Sequence, residues 1–231
     1  MLKNIYNYKY FWRKLFKPNI VNHMGVRIDT SDPHISDWIK DAIYKGFYER
    51  AESKILKNEI KNSDIVMEIG GGIGLIANIC KQAQTTIVYE ANQNLIPIIK
   101  KNTILNKNKI KLFNGAVVSD RKLKDINFYE GKDFWNASLE KREGFTKTSV
   151  KTYFFLEELK KFKPNFLIID VEGYEYKLLS KIKLPKFINK ILLEVHPKIL
   201  SKDQILSIIN QLINQDFILT SKCRDTILLK K

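Results

Sequence analysis

Apolar runs of four to six residues alternate along this chain with stretches whose apolar positions recur at helical spacing. The runs Ile65–Ile69, Thr85–Glu90, Phe166–Asp170 and Lys190–Val195 read as buried strands, and all four close on or beside an acid. Lys109–Asn114 with Ala116–Val118 gives a further strand and its exit, Val26–Asp29 a short early one, and Phe217–Ser221 with Thr226–Lys230 a closing pair. Between them lie helical patterns. Asp32-Pro33 reads as a helix start before Ile35, Trp38, Ile39, Ala42 and Ile43. Others run from Ala51 to Ile60, from Ile73 to Ile79, from an Asn92 or Asn94 cap to about Leu105, and from Leu156 to Phe162 ahead of Pro164. A further helix starts near Glu175 with Leu178 and Leu179, and Ser201 with Gln204 forms a capping box for the last. Strand and helix in alternation predict an α/β fold with a mostly parallel sheet covered on both faces. Residues 119–150 are the least regular; they read either as a loop beyond the strand ends that meets substrate or as an ordinary hairpin excursion.

The densest chemistry sits where the strand Ile65–Ile69 runs into Gly70-Gly71-Gly72-Ile73-Gly74. Strand, glycine turn and helix open a nucleotide-binding sheet, with free N–H groups at the helix N-terminus. The spacing is not a dinucleotide fingerprint, because Leu75 stands at the sixth position from Gly70, and no Gly-Lys-Ser/Thr makes it a P-loop. What remains is acid-x-Gly-x-Gly-x-Gly on Glu68, Gly70, Gly72 and Gly74. Glu90 follows Gly70 by 20 positions at the end of the next strand, where a carboxylate can accept both hydroxyls of a ribose.

Charge adds one question. The net charge is +15, from 40 basic and 25 acidic residues, which favours an anionic partner. Only six of the 40 are Arg, the residue whose fork suits phosphate, and a chain this rich in Lys, Ile and Asn owes much of its charge to A/T-rich codons. Nucleic acid is therefore disfavoured as a partner. Cys80 and Cys223 stand far apart without disulfide or metal spacing, which places the chain in a reduced, cytoplasmic compartment. No apolar run reaches the length of about 18 residues that a membrane span needs.

Residues 1–24 set Tyr6, Tyr8, Tyr10, Phe11, Trp12 and Phe16 among Lys3, Lys9, Arg13, Lys14 and Lys17, up to Pro18. Three readings stand open: an arm packed on its own domain or on a second subunit, a segment for a membrane surface or other anionic partner, and a lid over the site. The residues alone leave a homo-oligomer open as well.

Asp170-Val171-Glu172-Gly173-Tyr174-Glu175 resembles the hallmark of the FkbM family of methyltransferases. Gly46-Phe47-Tyr48-Glu49, the glycine stretch, Ala116-Val117-Val118-Ser119-Asp120, Trp135-Asn136-Ala137-Ser138-Leu139 and Leu193-Glu194-Val195-His196 resemble further segments of that family, in order. The family usually carries Asp at Glu68, Ala-Asn at Gly71-Gly72 and Pro at Ala91; the acid and the close backbone approach survive these changes. The resemblance implies a seven-stranded Rossmann-like sheet over residues 46–231, with residues 1–45 as an N-terminal helical extension. It implies S-adenosylmethionine as cofactor, held by Tyr48, Glu68, Gly70, Gly72, Gly74, Glu90, Ala91, Asn114, Ala116 and Asp170. It also implies methyl transfer to a hydroxyl of a saccharide, glycolipid or small metabolite, with Asp170, Glu172 and His196 as catalytic candidates. His196, with an ordinary pKa near about 6.5, suits a general base. The Asp-Val-Glu-Gly at 170–173 departs from the Asn/Asp-Pro-Pro-Tyr/Phe loop of enzymes that methylate base nitrogens. A divalent ion shared by Asp170, Glu172, Glu194 and His196 is not demanded by their spacing, and no metal is assigned.

Overall fold

The computed structural model describes residues 2–130 and 146–231. In chain order the elements are α1 (Leu2–Phe16), β1 (Ile20–His23), β2 (Val26–Asp29), α2 (Asp37–Lys45), α3 (Arg50–Glu59), β3 (Ile65–Ile69), α4 (Leu75–Ile79), β4 (Thr85–Glu90), α5 (Ile96–Leu105) and β5 (Lys111–Asn114). They continue as β6 (Ala116–Val118), β7 (Asp125–Glu130), β8 (Thr146–Phe154), α6 (Phe155–Phe162), β9 (Phe166–Ile169), α7 (Glu175–Leu179), β10 (Lys190–Glu194), α8 (Lys202–Ile213), β11 (Ile218–Cys223) and β12 (Thr226–Lys230).

Seven strands form the main sheet in the order β11-β12-β10-β9-β3-β4-β5. Neighbours from β10 through β5 pair in parallel, and β12 runs antiparallel to both β10 and β11. The predicted α/β sheet, mostly parallel and doubly wound, is the one observed. Its alternation is strict. Val66, Phe166, Ile168, Leu192 and Leu228 turn to one face with Ile55 and Leu56 of α3 and Ile76 of α4. Met67, Ile69, Leu167, Ile191 and Leu229 turn to the other, against Leu159 of α6, Leu178 of α7 and Ile208 and Leu212 of α8. Residues that alternate along a strand point to opposite faces, so a nearly continuous apolar run is what a sheet covered twice requires.

The N-terminal edge of the sheet is pinned by a buried ion pair. Lys190 Nζ donates to Asp64 Oδ2 at 2.5 Å and to the Glu59 carbonyl at 2.8 Å. Asn165 ties the two flanking strands, accepting from Ile65 N–H and donating to Asp64. The opposite edge, where the parallel strands end, carries the site described below.

Several boundaries differ from expectation, each for a local reason. The helix expected from Asp32-Pro33 begins at Asp37 because Ser36 takes the cap, its hydroxyl accepting from Ile39 N–H, while Asp32 holds His34 N–H in a preceding turn. Ala116–Val118 does not continue β5. It leaves the main sheet at Gly115 and pairs with β8 in a three-stranded sheet ordered β6-β8-β7. β7 and β8 pair antiparallel, so the described part of 119–150 is a hairpin; Trp135-Asn136-Ala137-Ser138 lies outside the described residues. Its strands alternate Ile126 and Phe128 with polar residues among so many charges that the period was masked. Near the N-terminus, α1 stops at Phe16 before Pro18, and β1, unforeseen, pairs with β2. Val21, Ile28, Ile39 and Ile43 share one cluster with Tyr48, Ile73, Leu75 and Ile98, so residues on either side of the expected boundary at 45/46 share one core.

Gly70 tests the geometry of the sheet. Its φ is 94°, and an added Cβ would lie 1.8 Å from the Asp170 carbonyl oxygen. Left-handed backbone costs a side chain about 1–2 kcal/mol and overpacking about 1–3 kcal/mol. Gly70→Ala is therefore expected to lose more than about 3 kcal/mol in urea unfolding. Gly46→Ala, at φ 76° with no atom within 4 Å of the new Cβ, should lose only the backbone share of about 1–2 kcal/mol. Equal losses would contradict the close approach of β3 and β9.

Candidate active site

β3, β4, β9 and β10 end side by side in register, so the residues just past their ends converge on one edge. A cavity of about 560 Å³ opens there, within the size range of small-molecule sites. Of the residues predicted to act, Tyr48, Gly70, Gly72, Glu90, Ala91, Ala116, Asp170 and Glu172 line it. Glu68, Gly74, Asn114 and His196 stand behind that lining.

The glycine turn and Glu90 form one unit. Gly72, at φ 52°, turns its N–H to Glu90 Oε2 at 2.9 Å, and Asn92 N–H donates to Oε1 at 2.7 Å. A Cβ on Gly72 would press on Tyr48 Oη at 3.1 Å and Glu49 Oε1 at 3.2 Å. The backbone N–H groups of Gly71 and Ala91 also turn toward this carboxylate. Burial pushes its pKa up to about 7, against the pull of those backbone N–H groups. Asn114 serves as a pin instead of a wall, donating to the carbonyls of Glu90 and Ala91 at 2.9 and 3.3 Å. Gly74 caps α4 in the left-handed conformation.

Glu68 is 1 % exposed and lies on the α3–α4 side of the sheet, where Oε2 has no hydrogen-bond partner among the described residues. Burial holds its carboxyl well above the usual range, and the charges of Glu49 and Glu90 add to this. Glu49, which the sequence placed beside the predicted Tyr48 without assigning it a role, lies at the mouth of the same network. It sits at φ 42° as the residue before α3, makes no capping bond, and leaves Oε2 buried without a partner. Burial pushes it up to about 8. A non-glycine residue held in the left-handed region is uncommon and clusters at functional sites.

The second half of the site is a histidine among acids. Glu172, at φ 49°, turns back over the end of β9. His196 Nε2 lies 3.4 Å from Glu172 Oε2 and 3.6 Å from Asp170 Oδ1, and Nδ1 lies 2.7 Å from Glu175 Oε1. Glu175 is fully buried and also accepts from Gly173 N–H, so its carboxylate sets the orientation of the ring. Burial alone would lower the histidine's pKa; Glu172, Glu175 and Asp170 overcome it and push it up to about 11. At neutral pH the ring is an imidazolium, whereas the base role expected of it rests on an unperturbed value near about 6.5. Asp170 Oδ1 is buried without a hydrogen-bond partner among the described residues, and burial together with the charges of Glu194 and Glu172 holds the carboxyl well above its ordinary value. Asp170, Glu172 and His196 offer ligand atoms within 4.8 Å of one another, a set that a divalent cation accepts.

Two further acids complete the ring. Glu52 is buried and accepts from the Thr226 hydroxyl, and Glu194 is pushed up to about 7 by burial and then by the charge of Glu52. The cavity wall thus carries Glu49, Glu52, Glu90, Asp170, Glu172 and Glu194 in a chain of net charge +15. Crowded, desolvated carboxylates favour a positively charged ligand, because it relieves repulsion that water cannot screen.

A family model described as "Methyltransferase FkbM domain" matches residues 64–219. A curated relative, ribosomal RNA small subunit methyltransferase A of Lachnoclostridium phytofermentans, is 35 % identical over 67 residues, 28 % of this chain. The matched stretch spans 23 % of that relative's length. Among solved structures, precorrin-6y C5,15-methyltransferase of Geobacter metallireducens is similar over 78 % of this chain and 85 % of its own, at 11 % identity and TM-score 0.47. The tRNA m1G37 methyltransferase of M. jannaschii is similar over 91 % of this chain and 52 % of its own, at 14 % identity and TM-score 0.46.

The raised acids have a consequence for stability. Glu90, Glu194 and Glu49 bind protons more tightly folded than unfolded, where a Glu titrates near about 4.3. Between that value and about 8 the folded state holds more protons, so stability falls as pH rises. His196 acts in the same direction: its contribution is whole below about 6.5 and is lost as pH climbs toward about 11. The urea midpoint of the ligand-free protein is expected to be lower at about pH 8 than at about pH 6, with the slope reduced in Glu90→Gln. A midpoint that rises over this interval would contradict the crowding of these acids.

Proposed function

Because the chain belongs to the FkbM methyltransferase family, we propose that it catalyses methyl transfer from S-adenosylmethionine to a hydroxyl of a saccharide or small metabolite. The observation that supports this reading most is the juxtaposition, on one cavity, of the Gly72–Glu90 unit with the Asp170–Glu172–His196 cluster. Once bound, the cofactor supplies a methyl group already activated by a sulfonium. The protein's remaining tasks are to orient the acceptor and remove its proton.

On this reading Glu90 and the 70–74 turn hold the nucleoside end, and the surrounding acids hold the cationic end. Asp170, ionised once the cationic cofactor is bound, takes the hydroxyl proton, since Oδ1 is the buried oxygen of the cluster that lacks a hydrogen-bond partner among the described residues. Glu172 lies next to it as the second acceptor of that proton. His196, protonated and braced by Glu175, keeps the two carboxylates from repelling one another out of place.

A nucleic-acid acceptor is the second reading, favoured by the charge of +15. Against it stands the cavity wall, where acids outnumber Lys45, Arg50 and Arg224 and repel phosphate. A gel shift with structured RNA decides, since phosphate contacts give affinity that falls steeply with salt.

Calorimetry with S-adenosylmethionine is expected to show one site. Glu90→Ala should weaken it about tenfold or more, as the loss of hydrogen bonds to a charged group costs about 1.5–3 kcal/mol. Asp170→Asn should leave S-adenosylhomocysteine affinity within about threefold yet lower turnover about 10²- to 10⁴-fold. Absence of binding heat, or Asp170→Asn with full turnover on a hydroxylated acceptor, would contradict the assignment.

A further inference from the structure

Helix α1 precedes the stretch that matches the family and carries a surface the transfer reaction does not use. Tyr8, Phe11, Trp12, Leu15 and Phe16 recur at i, i+3, i+4, i+7 and i+8, which is one stripe of a helix. All five are exposed, Leu15 at 77 % and Phe11 at 68 %. The opposite side of α1 is spent on the protein: Tyr10 Oη donates to Asp41 Oδ1 at 2.8 Å, and Arg13 donates to the carbonyls of Tyr44 and Asn22 at 3.0 and 2.8 Å. The helix is therefore held in place with its aromatic stripe facing out. A soluble protein seldom exposes so much contiguous apolar surface without a partner for it.

We propose that α1 docks the protein onto an anionic bilayer and that the methyl acceptor is a hydroxyl presented at that interface on a lipid headgroup or lipid-linked saccharide. Charge selects the occupant. The first 28 residues hold Lys3, Lys9, Arg13, Lys14, Lys17 and Arg27 and no acid. Two copies of such a face repel one another, whereas an anionic leaflet attracts each basic residue near it by about 1 kcal/mol. Side-chain chemistry agrees. Trp and Tyr favour the headgroup level, Phe and Leu the acyl boundary, and the exposed Lys9 and Lys17 border the stripe where phosphates would lie, while Lys14 is turned onto Tyr10 and Asp41. Placement agrees too. α1 is hydrogen-bonded to α2 through Asp41, and Asp41, Ala42 and Lys45 of α2 line the cavity. Trp38 and Phe47, 60 % and 53 % exposed, stand on the same rim. A bilayer seated on α1 thus lies beside the cavity mouth. The docking surface stands independently of the proposed chemistry; the nature of the acceptor rests on that reading.

The test sediments the full chain with vesicles of phosphatidylcholine alone or mixed with phosphatidylglycerol. Binding to the anionic vesicles is expected to exceed binding to neutral ones by about tenfold or more, and to fall sharply in about 1 M salt. The exposed-face variant F11S/L15S/F16S should lose about tenfold or more of that binding while keeping the wild-type calorimetric affinity for S-adenosylmethionine. Wild type that stays in the supernatant, or a triple variant that sediments as wild type does, overturns the proposal. So does light scattering that finds a dimer which the triple variant dissolves, because the stripe is then an interface between copies. Vesicle binding without cofactor binding leaves the docking surface standing and removes the methyl-transfer reading; the reverse result does the opposite.

Discussion

Repulsion among carboxylates crowded into one largely buried pocket is the constraint from which the site follows. Parallel strands in register end together, so whatever residue follows each strand is brought within a few ångström of its neighbours. Here those residues and their close neighbours are Glu90, Asp170, Glu172, Glu194 and His196. The sheet tolerates the arrangement because His196 supplies a positive charge among three of the acids. The remaining acids are held by burial toward their protonated forms. Such an edge is poised to ionise when a cation arrives, which is a binding free energy stored in the fold.

The sheet was legible because its central strands are short, mostly apolar and bounded by glycine or acid. Phe166–Ile169 and Lys190–Glu194 have no polar face to confuse the period. Glu90 and the 70–74 turn were legible because a fixed spacing of 20 residues links them through one β-strand, helix and second β-strand. Less was visible where structure depends on pairing at a distance. The hairpin of β7 and β8 hides its alternation among Lys, Asp and Thr, and β6 changes sheets at a single glycine. The chemistry of His196 was hidden for the same reason. Glu172 and Glu175 lie 24 and 21 positions away in the chain, and only the end of β9 meeting the end of β10 makes them neighbours. The Tyr48-Glu49 pair carried a signal in its place just before the glycine strand, and the left-handed backbone at Glu49 gives that signal its physical content.

α1 answers to a different constraint. A helix with one face bonded to α2 and five large apolar side chains on the other has not finished burying its surface. That the same helix borders the acid-lined cavity joins the two halves of the molecule: a basic, aromatic exterior and an acidic interior.

Proton release on cofactor binding tests the central claim most directly. Calorimetric titration of the protein with S-adenosylmethionine near pH 7, in two buffers of different ionisation enthalpy, counts protons exchanged per site. If the cavity's acids are held toward protonation by one another, the cationic ligand drives them to ionise, and protons must be released. Heats identical in the two buffers, or protons taken up, would contradict it.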